Sequence, residues 1–171
     1  DSGLDFSHPD FTSGGGAMRV KYLWDVSGQG NPPAGYNYGT EWTQAQMANG
    51  SATQIDGNGG GGHGTHVVGT DAGNNAAVSG YVGTAPEADI VFVKGIRDHN
   101  SSGGFTDGDV VNGVSYIFSK AAQMSQPAVV NLSLGGHYGP HDGTSLYEQA
   151  LDGLTGPGRI IVAAGGNEGG S

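Results

Sequence analysis

The chain has 171 residues, a length that fits one domain. Glycine supplies 35 of them, charged residues only 13%, and 16 acidic side chains against 6 Lys and Arg leave a net charge of −10. That balance opposes docking on nucleic-acid phosphate or on an anionic membrane, and the lack of cysteine excludes disulfides, thiol catalysis and Cys-zinc sites.

In chain order, Asp1-Ser2-Gly3 reads as a strand end running into a tight turn. Gly14-Gly15-Gly16 is a loop by composition, and Arg19 to Trp24 a strand. A second glycine-rich loop, Gly57 to Gly62, leads into His63-Gly64-Thr65-His66, where a helix is expected to open. Ala88 to Val93 reads as a buried strand. From Asp107 to Met124, apolar residues at Val110, Val114, Ile117, Phe118 and Ala121 make one helical stripe, with Asp107 and Asp109 in the first turn where the helix dipole favours them. Ala128 to Leu134 and Arg159 to Ala164 are two more strands, and Leu146 to Leu154 the helix between them. Short β-branched runs of this kind are expected to be covered on both faces. The longest apolar run, Ile160 to Ala164, falls far below the ~20 residues of a membrane span. Strand, helix, strand, helix, strand from Ala88 onward predicts an α/β fold with a mostly parallel sheet flanked by helices and right-handed crossovers. Functional residues of such sheets gather at the carboxyl ends of the strands.

His63 at a helix N-terminus would rest neutral, because the positive end of the dipole disfavours imidazolium, and a neutral imidazole is what a general base must be. Two bland readings stand beside this one. His63 and His66 could simply fill space, or form an i,i+3 zinc pair; the common helical zinc motif also needs a Glu directly after its first His, and none is present. Asn167, after a buried strand and between glycines, could aim its amide into a cleft or serve as an ordinary turn.

Together these segments resemble the subtilisin-like serine protease family (subtilases, peptidase S8). DSGLDFSHPDF is similar to its aspartate segment, GHGTHVVGT to its histidine segment, VVNLSLGG to the strand lining its primary specificity pocket, and IIVAAGGNEGG to its oxyanion-asparagine segment. GTAPEADIVFVKGI resembles the strand after the histidine helix, and the matches follow the family's order. The resemblance implies a three-layer α/β fold and hydrolysis of peptide bonds through an acyl-enzyme. It implies that Asp1 orients His63, that His63 moves the proton of a serine, and that Asn167 binds the oxyanion. It also implies that Ser133, Leu134 and Gly135 form one wall of the specificity pocket, that Ala164, Gly165 and Gly166 form the other, and that Gly103 and Gly104 pair with an extended polypeptide substrate. Glu168 at the pocket rim is expected to favour basic side chains. The location implied is extracellular or at the cell envelope, and oligomeric state is not readable.

The family's Gly-Thr-Ser-Met-Ala-x-Pro nucleophile motif is not among the 171 residues. The chain is therefore expected to be a partial peptidase domain, 1–171, lacking its lead strand and nucleophile segment, and inactive as it stands. A pseudoprotease or peptide-binding module of the same fold is the rival reading. Gly143-Thr144-Ser145 imitates the motif, but Ser145-Leu146-Tyr147-Glu148 is a capping box ahead of an amphipathic run. About residues 13–62 include an apparent insertion, whose Trp24, Tyr36, Tyr38 and Trp42 form either a packing cluster or a substrate rim. No cofactor is required for the chemistry. A structural calcium is possible near Asp10, Asn74 and Asn75, while His99, His137 and His141 fit no pattern and read as surface residues.

Overall fold

The computed structural model describes residues 1–57, 61–96, 106–167 and 169. It forms two compact units, Asp1–Gly104 and Phe105–Ser171.

In the first unit β1 (Val20–Asp25) is the central strand. It pairs antiparallel with β2 (Thr40–Thr43) and parallel with β3 (Ile90–Lys94). Leu23 sits opposite Trp42 on one side and Phe92 on the other. Two helices belong to this unit. The short α1 (Gln44–Ala48) is closed by a capping box between Thr43 and Gln46. The longer α2 (His63–Ala72) buries Gly64, Val68 and Ala72, an i, i+4, i+8 row that only a helix brings onto one face. That face joins Leu4, Phe11, Val20, Leu23, Met47, Ile90 and Phe92 in one core.

β3 has a second edge, and Asp1 occupies it. The Asp1 amino group donates to Val93 O at 2.9 Å, and Gly95 N–H donates to Asp1 O at 2.9 Å. Lys94 O, one residue over, accepts from Val26 N–H on the opposite side. This alternation is the period of a strand bonded on both edges, so Asp1 holds a strand-end position at the carboxyl end of β3. Arg19, 3% exposed, ties the turn after Asp1 to the far end of α2. Its guanidinium donates to Asp10 O (2.7 Å), Thr12 O (3.1 Å), Ala88 O (2.7 Å) and Ala72 O, the last carbonyl of α2.

The second unit consists of α3 (Asp107–Gln123), β4 (Ala128–Leu132), α4 (Leu146–Leu154) and β5 (Arg159–Ala163). β4 and β5 are parallel neighbours in register from Ala128↔Arg159 to Leu132↔Ala163. Val110, Val114 and Phe118 of α3 pack with Val130 and Leu132 of β4, joined by Leu151, Leu154 and Ile161. The helix is capped by Thr106 with Asp109, which is buried rather than solvated. Among the described residues only one face of this sheet is covered. Val129, Ile160 and Val162 are 66, 54 and 50% exposed, against the expectation of cover on both faces. Strand periodicity puts them opposite the residues that meet α3 and α4.

The fold is thus α/β, with parallel strands and flanking helices as the order of segments predicts. The stretch 13–62 carries β1, β2 and α1. Within it Trp24 is fully buried with Tyr36 and Tyr38 tilted against it at 4.5 and 5.2 Å between ring centroids, and Trp42 packs on the core. All four therefore serve packing.

Candidate active site

The glycine-rich loop ends at Gly62, which takes the left-handed conformation (φ 87°) and provides no side-chain cap. α2 starts at His63 itself, so its first amides need partners from elsewhere. Gly64 N–H donates to Ser2 Oγ at 3.0 Å, and Thr65 N–H to Asp56 Oδ2 at 2.8 Å. The segment after Asp1 and the segment before the loop thus cap the helix jointly.

This arrangement brings Asp1 and His63 together across 62 residues of sequence: Asp1 Oδ1 lies 2.8 Å from His63 Nδ1. Ser2 N–H donates to the same oxygen at 2.6 Å, fixing the carboxylate from behind. The Asp1 side chain is 12% exposed and that of His63 54%. A carboxylate acceptor at Nδ1 selects the tautomer with its proton there, which leaves Nε2 as the free base. A largely covered carboxylate behind an accessible imidazole is an arrangement that can support proton transfer at Nε2.

Two glycines make the approach possible. A Cβ on Gly64 would lie 2.1 Å from Gly3 O and 3.2 Å from Asp1 Oδ1, and one on Gly3 would lie 2.5 Å from Ile55 O. Gly64→Ala is expected to push α2 away from the Asp1 segment and cost about 2 kcal/mol of stability, the usual range for overpacking. An unfolding midpoint equal to the parent's in denaturant titration would contradict the close approach.

The other sequence-predicted residues lie in the second unit. Ser133–Gly135 and Ala164–Gly166 follow β4 and β5 side by side, and Ala164 N–H donates to Leu132 O at 3.0 Å, extending the ladder by one bond. The two segments leave the strands' carboxyl ends as neighbours. Leu134 turns toward the core, where it packs with the α3–β4 cluster. Asn167 is exposed in the bend that follows. Gly103, Gly104, His99 and Glu168 lie outside the described residues.

Ser145 is the N-cap of α4: its Oγ accepts Glu148 N–H at 3.2 Å, and Glu148 Oε2 accepts Ser145 N–H at 3.1 Å. His137 and His141 are exposed, their rings 6.0 Å apart. At the loop after α2, Asp10 Oδ1 accepts Ala77 N–H at 2.7 Å, Asn74 Oδ1 accepts Ala76 N–H at 3.1 Å, and Asn75 Oδ1 accepts Gly80 N–H. Among the described residues no three His, Asp or Glu side chains group to hold a metal.

Sequence reasoning missed Ser2 and Asp56. The only signal for Asp56 was an acidic residue ahead of a helix that lacks its own cap.

Comparison with known proteins shows the family to which the chain belongs. The family model described as "Subtilase family" (Peptidase_S8) matches residues 1–171. Subtilisin E of Bacillus subtilis (strain 168) is 33% identical over 171 residues, covering 100% of this chain and 34% of that protein. Thermitase of Thermoactinomyces vulgaris is 32% identical over 169 residues, covering 99% and 46%. The major intracellular serine protease of Bacillus subtilis (strain 168) is also similar, 31% identical over 172 residues, with 99% and 41% covered. The structure of the CspB protease of Clostridium perfringens superposes with a TM-score of 0.83 at 27% identity, over 99% of this chain and 36% of that one. The chain thus spans between a third and a half of the length of these relatives.

Proposed function

The chain belongs to the subtilase family, and on that premise we propose that it supplies part of the active centre of a serine endopeptidase. Subtilases are serine proteases, so the substrate class is polypeptide. The observation that carries the finer reading is the 2.8 Å contact between Asp1 Oδ1 and His63 Nδ1 at the first turn of α2.

In this reading His63 Nε2 takes the proton of a seryl hydroxyl as its oxygen bonds to the scissile carbonyl carbon. Asp1 holds the imidazolium that forms. The oxyanion accepts a hydrogen bond from the Asn167 amide. Collapse breaks the C–N bond, and the proton passes from His63 to the leaving amine. Water then repeats the sequence on the acyl-enzyme. The serine comes from outside these 171 residues, since base, orienter and oxyanion donor cannot form an acyl-enzyme alone. The chain by itself is accordingly inactive, and Ser145 is bound to its helix as a cap. No cofactor enters these steps.

Ser133, Leu134 and Gly135, with Ala164, Gly165 and Gly166, are proposed to wall the pocket for the side chain before the scissile bond. Gly103 and Gly104 are proposed to pair with extended substrate, and Glu168 to favour basic residues there. Location outside the cell is proposed from the family resemblance alone, since one relative is named as intracellular. Among the described residues no helix is long and apolar enough to cross a membrane.

The test is to incubate the protein, extended through a Gly-Thr-Ser-Met-Ala-like segment, with an unfolded polypeptide and sequence the new N-termini. Cleavage that disappears in His63→Ala supports the proposal. Binding without new N-termini would replace it with a peptide-binding pseudoprotease.

A further inference from the structure

We propose that Asp56 is a positioning residue for the Asp1–His63 pair, a second carboxylate that acts on it through Ser2 and Thr65. The proposal rests on the reading of that pair as proton-transfer machinery. Asp56 sits seven residues before the start of α2 at His63, yet each of its oxygens is committed to a different side of the site. Oδ1 accepts the Ser2 hydroxyl at 2.7 Å. Oδ2 accepts both Thr65 N–H at 2.8 Å and Thr65 Oγ1–H at 2.7 Å. The bonds continue from both ends. Ser2 N–H fixes Asp1 Oδ1, Ser2 Oγ accepts Gly64 N–H, and Thr65 Oγ1 accepts Asp5 N–H at 2.8 Å.

The residue directly after the orienting aspartate and the second residue after the histidine are therefore clamped to one carboxylate. Gln54 adds to the clamp: its side chain exchanges two hydrogen bonds with the Leu4 backbone, at 2.9 and 3.0 Å. Ser2 and Gln54 are 1 and 5% exposed, while Asp56 and Thr65 are half-buried, so the Ser2 end of the network is the part screened from water. In such surroundings a satisfied carboxylate fixes geometry rather than merely attracting.

A placement error of ~1 Å in a reacting group can cost on the order of 100-fold in rate. The Asp1–His63 distance is set by two chain segments with no covalent link nearer than the loop. They meet directly through Gly64 N–H to Ser2 Oγ and Asp5 N–H to Thr65 Oγ1, and Asp56 braces both of those hydroxyls at once. Its charge also lies at the N-terminal turn of α2, where a negative group is favoured and completes the cap that Gly62 lacks. The charged or titratable groups around His63 are then Asp1, its carboxylate in contact and its amino group on Val93 O, Asp56 through its two hydroxyl partners, Asp5, whose backbone bonds Thr65, and His66 one turn along the helix.

The test follows the His63 imidazole by NMR through a pH titration of the full chain. Asp56→Ala is expected to lower the His63 midpoint by about half a pH unit, since a looser Asp1 contact and a lost negative charge both disfavour imidazolium. Asp56→Asn keeps the size and one acceptor and is expected to fall between. If Asp56 works through Asp1, the same change in an Asp1→Asn background gives a clearly smaller fall, because coupled sites are not additive. Should Asp56→Ala not fold, Ser2→Ala breaks the same link from the other side and is expected to shift the midpoint in the same direction. An unchanged midpoint in a folded variant, or an equal fall in both backgrounds, would overturn the proposal. The midpoint is read whether or not the protein cuts peptides, so the positioning role and the peptidase reading can fail separately.

Discussion

Replacing His63 by Ala is expected to lower kcat by about 10⁴- to 10⁶-fold in the protein that provides the serine, with KM little changed. These sizes are already established for Ser-His-Asp triads, subtilisin's among them; the geometry here says why they apply. Without the imidazole no group in the first turn of α2 can take the seryl proton. Asp1→Asn should lose about 10⁴-fold for a different reason. An amide NH₂ facing Nδ1 at 2.8 Å would favour the other tautomer, with the proton on Nε2, and a protonated Nε2 is no base. Asn167→Ala is expected to cost about 10²- to 10³-fold, the established loss for one oxyanion donor. Steady-state kinetics of the three variants would show kcat falling in that order. A loss confined to KM would mean that these residues bind substrate without moving protons.

Replacing Arg19 by Met should destabilise the chain by about 3–5 kcal/mol, in the range of a broken buried polar network. Arg19 spends its guanidinium on four carbonyls from three parts of the first unit: the turn at Asp10 and Thr12, the end of α2 at Ala72, and the approach to β3 at Ala88. Methionine fills much of the volume but removes the donor from Ala72 O and Ala88 O, while Asp10 O and Thr12 O keep a bond from Asn74; an acceptor left unbonded and dry costs about 1–3 kcal/mol. Lysine should recover only part, because one ammonium cannot span the spread that a planar fork covers. Urea midpoints of the parent, Arg19→Met and Arg19→Lys would display this order. A Met variant within ~0.5 kcal/mol of the parent would show the site to be an ordinary surface position.

Elements governed by local pattern were legible in the sequence. α4 runs from Leu146 to Leu154 as its apolar spacing and the Ser145–Glu148 box require, and β4 and β5 follow their β-branched runs. α2 opens at His63 after the glycines. What escaped depends on tertiary contact. β2 is Thr-Glu-Trp-Thr, without alternation or an apolar run, and is a strand because β1 offers it an edge. Lys94 ends β3 as a charged residue, yet it is fully buried, with its Nζ 3.7 Å from Asp25 Oδ2 across the parallel pair. Exposure of the outer face of β4 and β5 was not readable from Val129, Ile160 and Val162, whose types suit a covered strand.

The candidate site divides in the same way. Asp1 and His63 were legible through family resemblance, with segment order as support. Ser2 and Asp56 carry no motif that a short window reveals. Their roles arise only when residues 54–56 fold against residues 2–4 and the start of α2. Arg19, similarly, sits beside a strand as an ordinary cation until its carbonyl partners assemble around it.

Covalent labelling with a fluorophosphonate, which captures activated serines, tests most directly whether these residues serve a serine nucleophile. The 171-residue chain is expected to take up none, because Ser145 is tied to its helix cap. The protein extended through the Gly-Thr-Ser-Met-Ala-like segment is expected to label at one serine there, and to lose the label in His63→Ala. Labelling of Ser145 in the short chain, or no labelling of the folded extended protein, would contradict it.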